Sequence, residues 1–257
     1  KVYKKLSSVL DDLRYSGKVD WNAIEDRGRV PFMPYTADDI PDAMSDIINA
    51  YRRRRCDDQD NVIEVWTEKD AISGILKRIT SKYTVQLVVN KGYSSSTAMY
   101  SAYNRIVEAL EEGKSFHLYY FGDHDPSGLD MIRDIAERLM FMLKNGDNSE
   151  LVDRIYNEWH EENFRWGGYD DGRLLDEGFI TQDFNDSYSY DNEADLNKII
   201  LARYRYAFQE TGKFKVTPLG LTMDQIRQYR PPNNPAKITD PRAKWYIEQH
   251  GGMSWEV

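Results

Sequence analysis

Leu118–Gly128 reads LYYFGDHDPSG, and the fold turns on how this stretch is read. With Phe116 and His117 ahead of it, Leu118–Phe121 completes an apolar, aromatic run of strand length, Phe116–Phe121. Gly122, Asp123, His124, Asp125, Pro126, Ser127 and Gly128 then make a polar turn, and helical spacing follows to about Leu143. Pro126 and Gly128 suit a tight turn that then launches a helix. A strand that passes through a tight turn straight into a helix is the repeating unit of a parallel sheet flanked by helices.

The same grammar runs upstream. Val62–Trp66 is expected as the first strand, Asp70–Ile79 as a helix, Val85–Val89 as the second strand, and Ser96–Leu110 as a serine-capped helix stopped at Gly113. Downstream, Phe214–Leu219 resumes as a strand, Thr222 caps a short helix to Tyr229, Pro231 and Pro232 force a turn, and Asp240–His250 reads as a last helix. Between them, residues 145–212 break the alternation: Glu150–Trp159 and Asn192–Ala207 are helical, while Trp166–Tyr190 is rich in Gly, Asp and Tyr, so this region is read as a mainly helical insertion. Residues 1–55 form a separate helical segment, with helices over Val2–Leu13, around Trp21–Ile24 and from Thr36 toward the arginines at 52–55. Residues 56–257 are the α/β domain. Because the first residue is Lys1 rather than Met, the sequence is taken as a piece of a longer protein.

Composition narrows the functions. No apolar run reaches the roughly 20 residues a membrane span needs, and no leader pattern opens the chain, so a cytoplasmic protein with no membrane partner is expected. A lone cysteine, Cys56, gives neither an internal disulfide nor a CxxC zinc site. The net charge of −9 runs against nucleic-acid binding taken as a sum. Its distribution does not: bases cluster at 52–55, at Lys77, Arg78 and Lys82, and from Arg227 to Lys244, whereas acids crowd 147–195. Any one such cluster alone is ordinarily a solvated face.

In open α/β sheets the chemistry lies just beyond the carboxyl ends of the strands. Those positions hold Glu68 and Lys69 after the first strand, Lys91, Gly92, Tyr93, Ser94, Ser95 and Ser96 after the second, and Asp123–Gly128 after the third. Carboxylates at i and i+2 on a turn suit a hard cation such as Mg²⁺, and Glu68 adds a third. Helix starts at Ser95–Ser96 and at Ser127–Gly128 offer N–H groups to phosphate. The plain alternative for Asp123 and Asp125 is that they satisfy backbone N–H groups of the turn. A haloacid-dehalogenase-type phosphatase would place its Asp-x-Asp after the first strand, where this chain has a Glu.

The order of motifs, Glu68 in VIEVWTEKDA and about fifty residues later the Asp-x-Asp-x-x-Gly of LYYFGDHDPSG, resembles the Toprim pattern. It is most similar to the family of topoisomerase VI A-type DNA-cleaving proteins, which includes the meiotic double-strand-break protein, and to short phage and mobile-element relatives. A glycine-containing loop like KGYSSST separates the two acidic motifs there too. The likeness covers about Asn61–Leu143 well and Phe214–Trp255 more loosely.

The resemblance implies a Toprim, Rossmann-like sheet and Mg²⁺-dependent cleavage of DNA phosphodiesters. Glu68, Asp123 and Asp125 would be catalytic metal ligands for one or two ions, with Mn²⁺ as a substitute, and Lys69 and Lys91 would neutralise phosphates. It further implies a homodimer and a partner ATPase. In that family a tyrosine on a preceding winged-helix domain forms the covalent link to DNA, and Lys1–Arg29 resembles the tail of such a domain. The family's Arg-x-x-Tyr-Tyr pattern is absent from this sequence. Either the nucleophile lies upstream or the enzyme is a hydrolytic Mg²⁺ nuclease; a primase and a non-catalytic DNA-binding module are further alternatives. The function classes therefore share one expected site.

Overall fold

The computed structural model describes residues 2–20, 23, 34–51, 58–90, 94–164 and 172–256. The chain divides into two compact units, residues 1–52 and 53–257. The first contains α1 (Val2–Tyr15) and α2 (Ile40–Ala50), the latter capped by Asp39, whose side chain accepts from the Asp42 N–H. Of the helix expected around Trp21–Ile24 only Ala23 is described, and the arginines at 52–55 lie outside the described residues.

The second unit opens with β1 (Asn61–Thr67), α3 (Asp70–Tyr83), β2 (Gln86–Val89), α4 (Ser96–Glu111), β3 (Ser115–Phe121) and α5 (Pro126–Asn145). It continues through α6 (Ser149–Asn163), α7 (Gly172–Asp176), α8 (Gln182–Ser187) and α9 (Glu193–Glu210) to β4 (Phe214–Gly220), then α10 (Met223–Tyr229), β5 (Asn234–Pro235), α11 (Ala243–His250) and β6 (Met253–Ser254). The four long strands form one parallel sheet in the order β2-β1-β3-β4. This is the α/β, Rossmann-like class the alternation of periods requires.

Strand alternation decides the faces. Trp66, Phe116, Leu118, Tyr120 and Phe214 are buried with Met99, Ala102 and Ile106 of α4 and Met131, Ile135 and Leu139 of α5. Glu64 points to the same side and is carried there as an ion pair: the Arg105 Nε and Nη2 donate to its two carboxylate oxygens, and the Trp66 Nε1 donates to Oε2 at 2.8 Å. Both charges are thus satisfied within the packed layer, as burial demands.

Residues 145–212, read from sequence as an insertion, form most of the crossover from β3 to β4. Val152, Tyr204 and Phe208 enter the main core, and Trp159, Leu174, Ile180, Phe184 and Ile199 build a second, smaller one. The aromatic residues of this region pack on one another, Tyr156 on Tyr204 at 4.1 Å between ring centroids. Among the described residues, no helix is long and apolar enough to cross a membrane.

Candidate functional site at the sheet switch point

Strand order places the site. The chain leaves β1 for β2 on one side, then returns past β1 to lay down β3 on the other. The crevice between β1 and β3 is therefore the topological switch point, where open α/β sheets take their ligands. Thr67 is in register with Phe121, and the Glu68 N–H donates to the Phe121 carbonyl at 3.4 Å. Glu68 and Asp123 thus emerge side by side from segments far apart in sequence.

Their electrostatics show this proximity. Burial, then the charges of Asp123 and Asp125, push the Glu68 carboxyl from its ordinary 4.5 to about 7, against the opposing pull of Lys69. Glu68 Oε2 is buried with no hydrogen-bond partner among the described residues. The Lys69 Nζ lies 2.8 Å from Asp123 Oδ2 and 3.5 Å from Glu256 Oε2. Burial alone would lower the Lys69 ammonium, but these carboxylates outweigh it and hold it above the usual lysine range. Burial, then Glu68 and Asp123, also raise the Tyr120 phenol, whose hydroxyl reaches Met131 Sδ at 3.6 Å.

Asp125 has a different task. Its Oδ1 accepts from the Gly128 N–H at 2.7 Å and from the Ser127 hydroxyl at 2.8 Å, so it is the N-cap of α5. Ser127 and Gly128, expected to meet phosphate, here bind Asp125. Glycine is required at 128 because a Cβ there would lie 2.1 Å from the Asp123 carbonyl oxygen. As the side chains stand, no three His, Cys, Asp or Glu among the described residues form a group that could hold a metal ion.

The second expected phosphate contact follows β2. The Asn90 N–H donates to Thr67 O at 2.7 Å, which sets the start of this loop beside Glu68. Lys91 and Gly92 lie outside the described residues. Ser95 caps α4 by accepting from the Ala98 N–H; Ser94 is buried, with its carbonyl accepting from Arg138 Nη1 at 2.8 Å; Ser96 is exposed. The Asn90 amide nitrogen and Ser94 hydroxyl are buried without hydrogen-bond partners among the described residues.

Sequence reading missed the C-terminal contribution. His124 and Trp255 exchange backbone hydrogen bonds of 2.9 and 3.0 Å, and the Tyr246 hydroxyl lies 2.8 Å from the His124 carbonyl, 2.9 Å from that of Met253 and 3.0 Å from His124 Nδ1. A hydroxyl has one proton, so it donates to a carbonyl and accepts from His124 Nδ1–H. Burial, then His250, lower the His124 imidazole. His124 thus faces away from the aspartates, as an extended turn requires, and anchors the turn to α11 and β6. His117 meets Asn61 Oδ1 through Nε2 at 2.9 Å. No local motif marks Glu256 or Tyr246; only long-range pairing brings them here. Comparison of the chain with protein-family models, curated proteins and solved structures found no match.

Proposed function

We propose that the chain is a Toprim-type enzyme, similar to the topoisomerase VI A-type proteins, that cleaves DNA phosphodiesters with Mg²⁺ held by Glu68, Asp123 and Asp125. The observation that carries this reading is the convergence of Glu68 and Asp123 at the β1/β3 switch point. The donor set suits a hard divalent cation: it is all carboxylate, and a buried Glu68 oxygen has no hydrogen-bond partner among the described residues. A bound Mg²⁺ would polarise the phosphoryl oxygen and stabilise the departing 3′ oxygen. Glu68, raised to about 7, can hold or release a proton near neutral pH. Lys69 balances Asp123 until a DNA phosphate offers it another anion. On this reading two copies address two strands, and a separate ATPase is a candidate partner.

The Lys69–Asp123 contact favours one other reading, a DNA-binding module in which the lysine ammonium takes the place of a metal ion. Nicking of supercoiled DNA in Mg²⁺ or Mn²⁺, and its loss in Asp123→Ala and Glu68→Ala proteins that remain folded, separates the two. DNA captured covalently on protein would identify a tyrosine mechanism, and free 5′ phosphate a hydrolytic one. Retained DNA binding with no nicking in either metal would leave only the binding module.

A further inference from the structure

The segment from Arg227 to Trp245 inverts the character of the chain. In a protein of net charge −9 it holds Arg227, Arg230, Lys237, Arg242 and Lys244 against one acid, Asp240. Two of these cations are spent. Arg242 pairs with Asp240 and, at 2.8 Å, with Asp130, and Arg227 pairs with Asp224. Arg230, Lys237 and Lys244 are exposed and make no ion pair among the described residues. Between them stand large rings open to solvent: Tyr229 is 71% and Trp245 51% exposed.

One exposed aromatic residue is ordinary. Rings interleaved with unpaired cations are the composition of a surface that takes single-stranded nucleic acid, where bases stack on the rings and phosphates meet the charges. Duplex DNA would use the cations but hides its base faces, so it leaves the rings without a role. The opposing acids nearby, Glu248 on the same helix and Glu256 against Lys69, do not touch the three unpaired cations.

Placement joins this surface to the candidate site. On α11, Tyr246 turns inward and grips the His124 carbonyl, while its neighbour Trp245 turns outward with its edge against His250 at 5.9 Å. The segment is pinned to the Asp123–Asp125 turn by Tyr246 and by the Trp255 bridge, and to α5 through Arg242 and Asp130.

From this we infer that Trp245 and Tyr229, with Arg230, Lys237 and Lys244, form a surface that holds single-stranded DNA. The inference rests on the DNA-cleaving reading and adds the form of DNA that is held. The test is fluorescence anisotropy of a labelled oligothymidylate and of a duplex of equal length, with the whole chain and with chelator present. Trp245→Ala should weaken single-strand binding roughly tenfold and duplex binding less than about twofold. Lys237→Gln with Lys244→Gln should lower the slope of log affinity against log salt by about 1.4, or about 0.7 per cation.

Circular dichroism and thermal melting should match the parent, because all three side chains are exposed. Oligothymidylate binding unchanged in both variants, or equal losses on duplex and single strand, would overturn the platform. Since binding is read without metal, the two readings fail separately. A protein that nicks DNA while Trp245→Ala binds normally sinks the platform alone. Trp245-dependent binding without nicking supports the platform and sinks the cleavage reading.

Discussion

Replacing Glu68 by Gln should make the protein more stable and inactive at once. The carboxyl is raised from 4.5 to about 7 by burial and by Asp123 and Asp125, so its ionised form costs the folded state up to about 3.4 kcal/mol at 1.36 kcal/mol per pH unit, and about 1–3 kcal/mol once solvent screening of a partly exposed group is counted. Between pH 4.5 and about 7 the folded protein keeps a proton that the unfolded chain has lost, and stability therefore falls as pH rises through that window. Below it both states are protonated and nothing is lost; above it the whole cost is present.

Glutamine has similar shape and no charge. Glu68→Gln should therefore match the parent near pH 4.5 and exceed it by about 1–3 kcal/mol at pH 8, a gain of roughly 2–12 °C for a unit of this size. The assay is thermal or urea unfolding at both pH values with chelator present. Excess Mg²⁺ should then reverse the order, because a ligand bound only by the folded parent stabilises it by mass action. A variant no more stable than the parent at pH 8, or one shifted equally at both pH values, would refute the description of Glu68 as an unbalanced buried acid.

Three further outcomes follow from the packing. Arg105→Met leaves the Glu64 carboxylate buried against Trp66 Nε1 alone, a loss of about 3–5 kcal/mol, and adding Glu64→Gln should restore most of it; urea unfolding of the singles and the double reads this. Gly128→Ala puts a methyl group 2.1 Å from the Asp123 carbonyl. It should cost more than about 2 kcal/mol in the same assay, although alanine gains about 1 kcal/mol over glycine within a helix. Tyr246→Phe removes only the hydroxyl that holds His124 and Met253. About 1–3 kcal/mol should be lost, with faster hydrogen exchange at the Trp255 amide; unchanged exchange would show that Tyr246 does not secure the C-terminal segment.

The sheet was legible because its signals are local. Trp66, Phe116, Leu118 and Tyr120 declare strands by type and run length, and the serines at 95–96 and Pro126 declare helix starts. The crossover was legible only in part. Leu174, Ile180 and Phe184 sit in a Gly- and Asp-rich stretch with no sustained period, and only their packing against Ile199 and Ala202 of α9 makes a core of them. Glu64 shows the same limit: a charged residue in the first strand reads as solvent-facing until Arg105, forty-one residues on, is found beside it.

For the candidate site, the sequence pointed to Glu68 and Asp123 at neighbouring strand ends, which the structure places side by side, but not to what each oxygen already does. Asp123 and Asp125 look equivalent at i and i+2, yet one faces Lys69 and the other caps α5. Their substitutions should therefore differ in kind. Asp125→Asn keeps an acceptor for the Gly128 N–H and so keeps the turn, whereas Asp123→Asn keeps the turn and releases Lys69. Around that ammonium stand Asp123 and Glu256, with Glu68 beside them, an excess of carboxylates that one lysine does not neutralise. Protonation of Glu68 relieves the excess at low pH; at higher pH a bound cation would relieve it. This is why the affinity for a divalent ion should rise as pH passes through about 7, and a Mn²⁺ affinity flat from pH 6 to pH 8 would separate Glu68 from any metal the site holds.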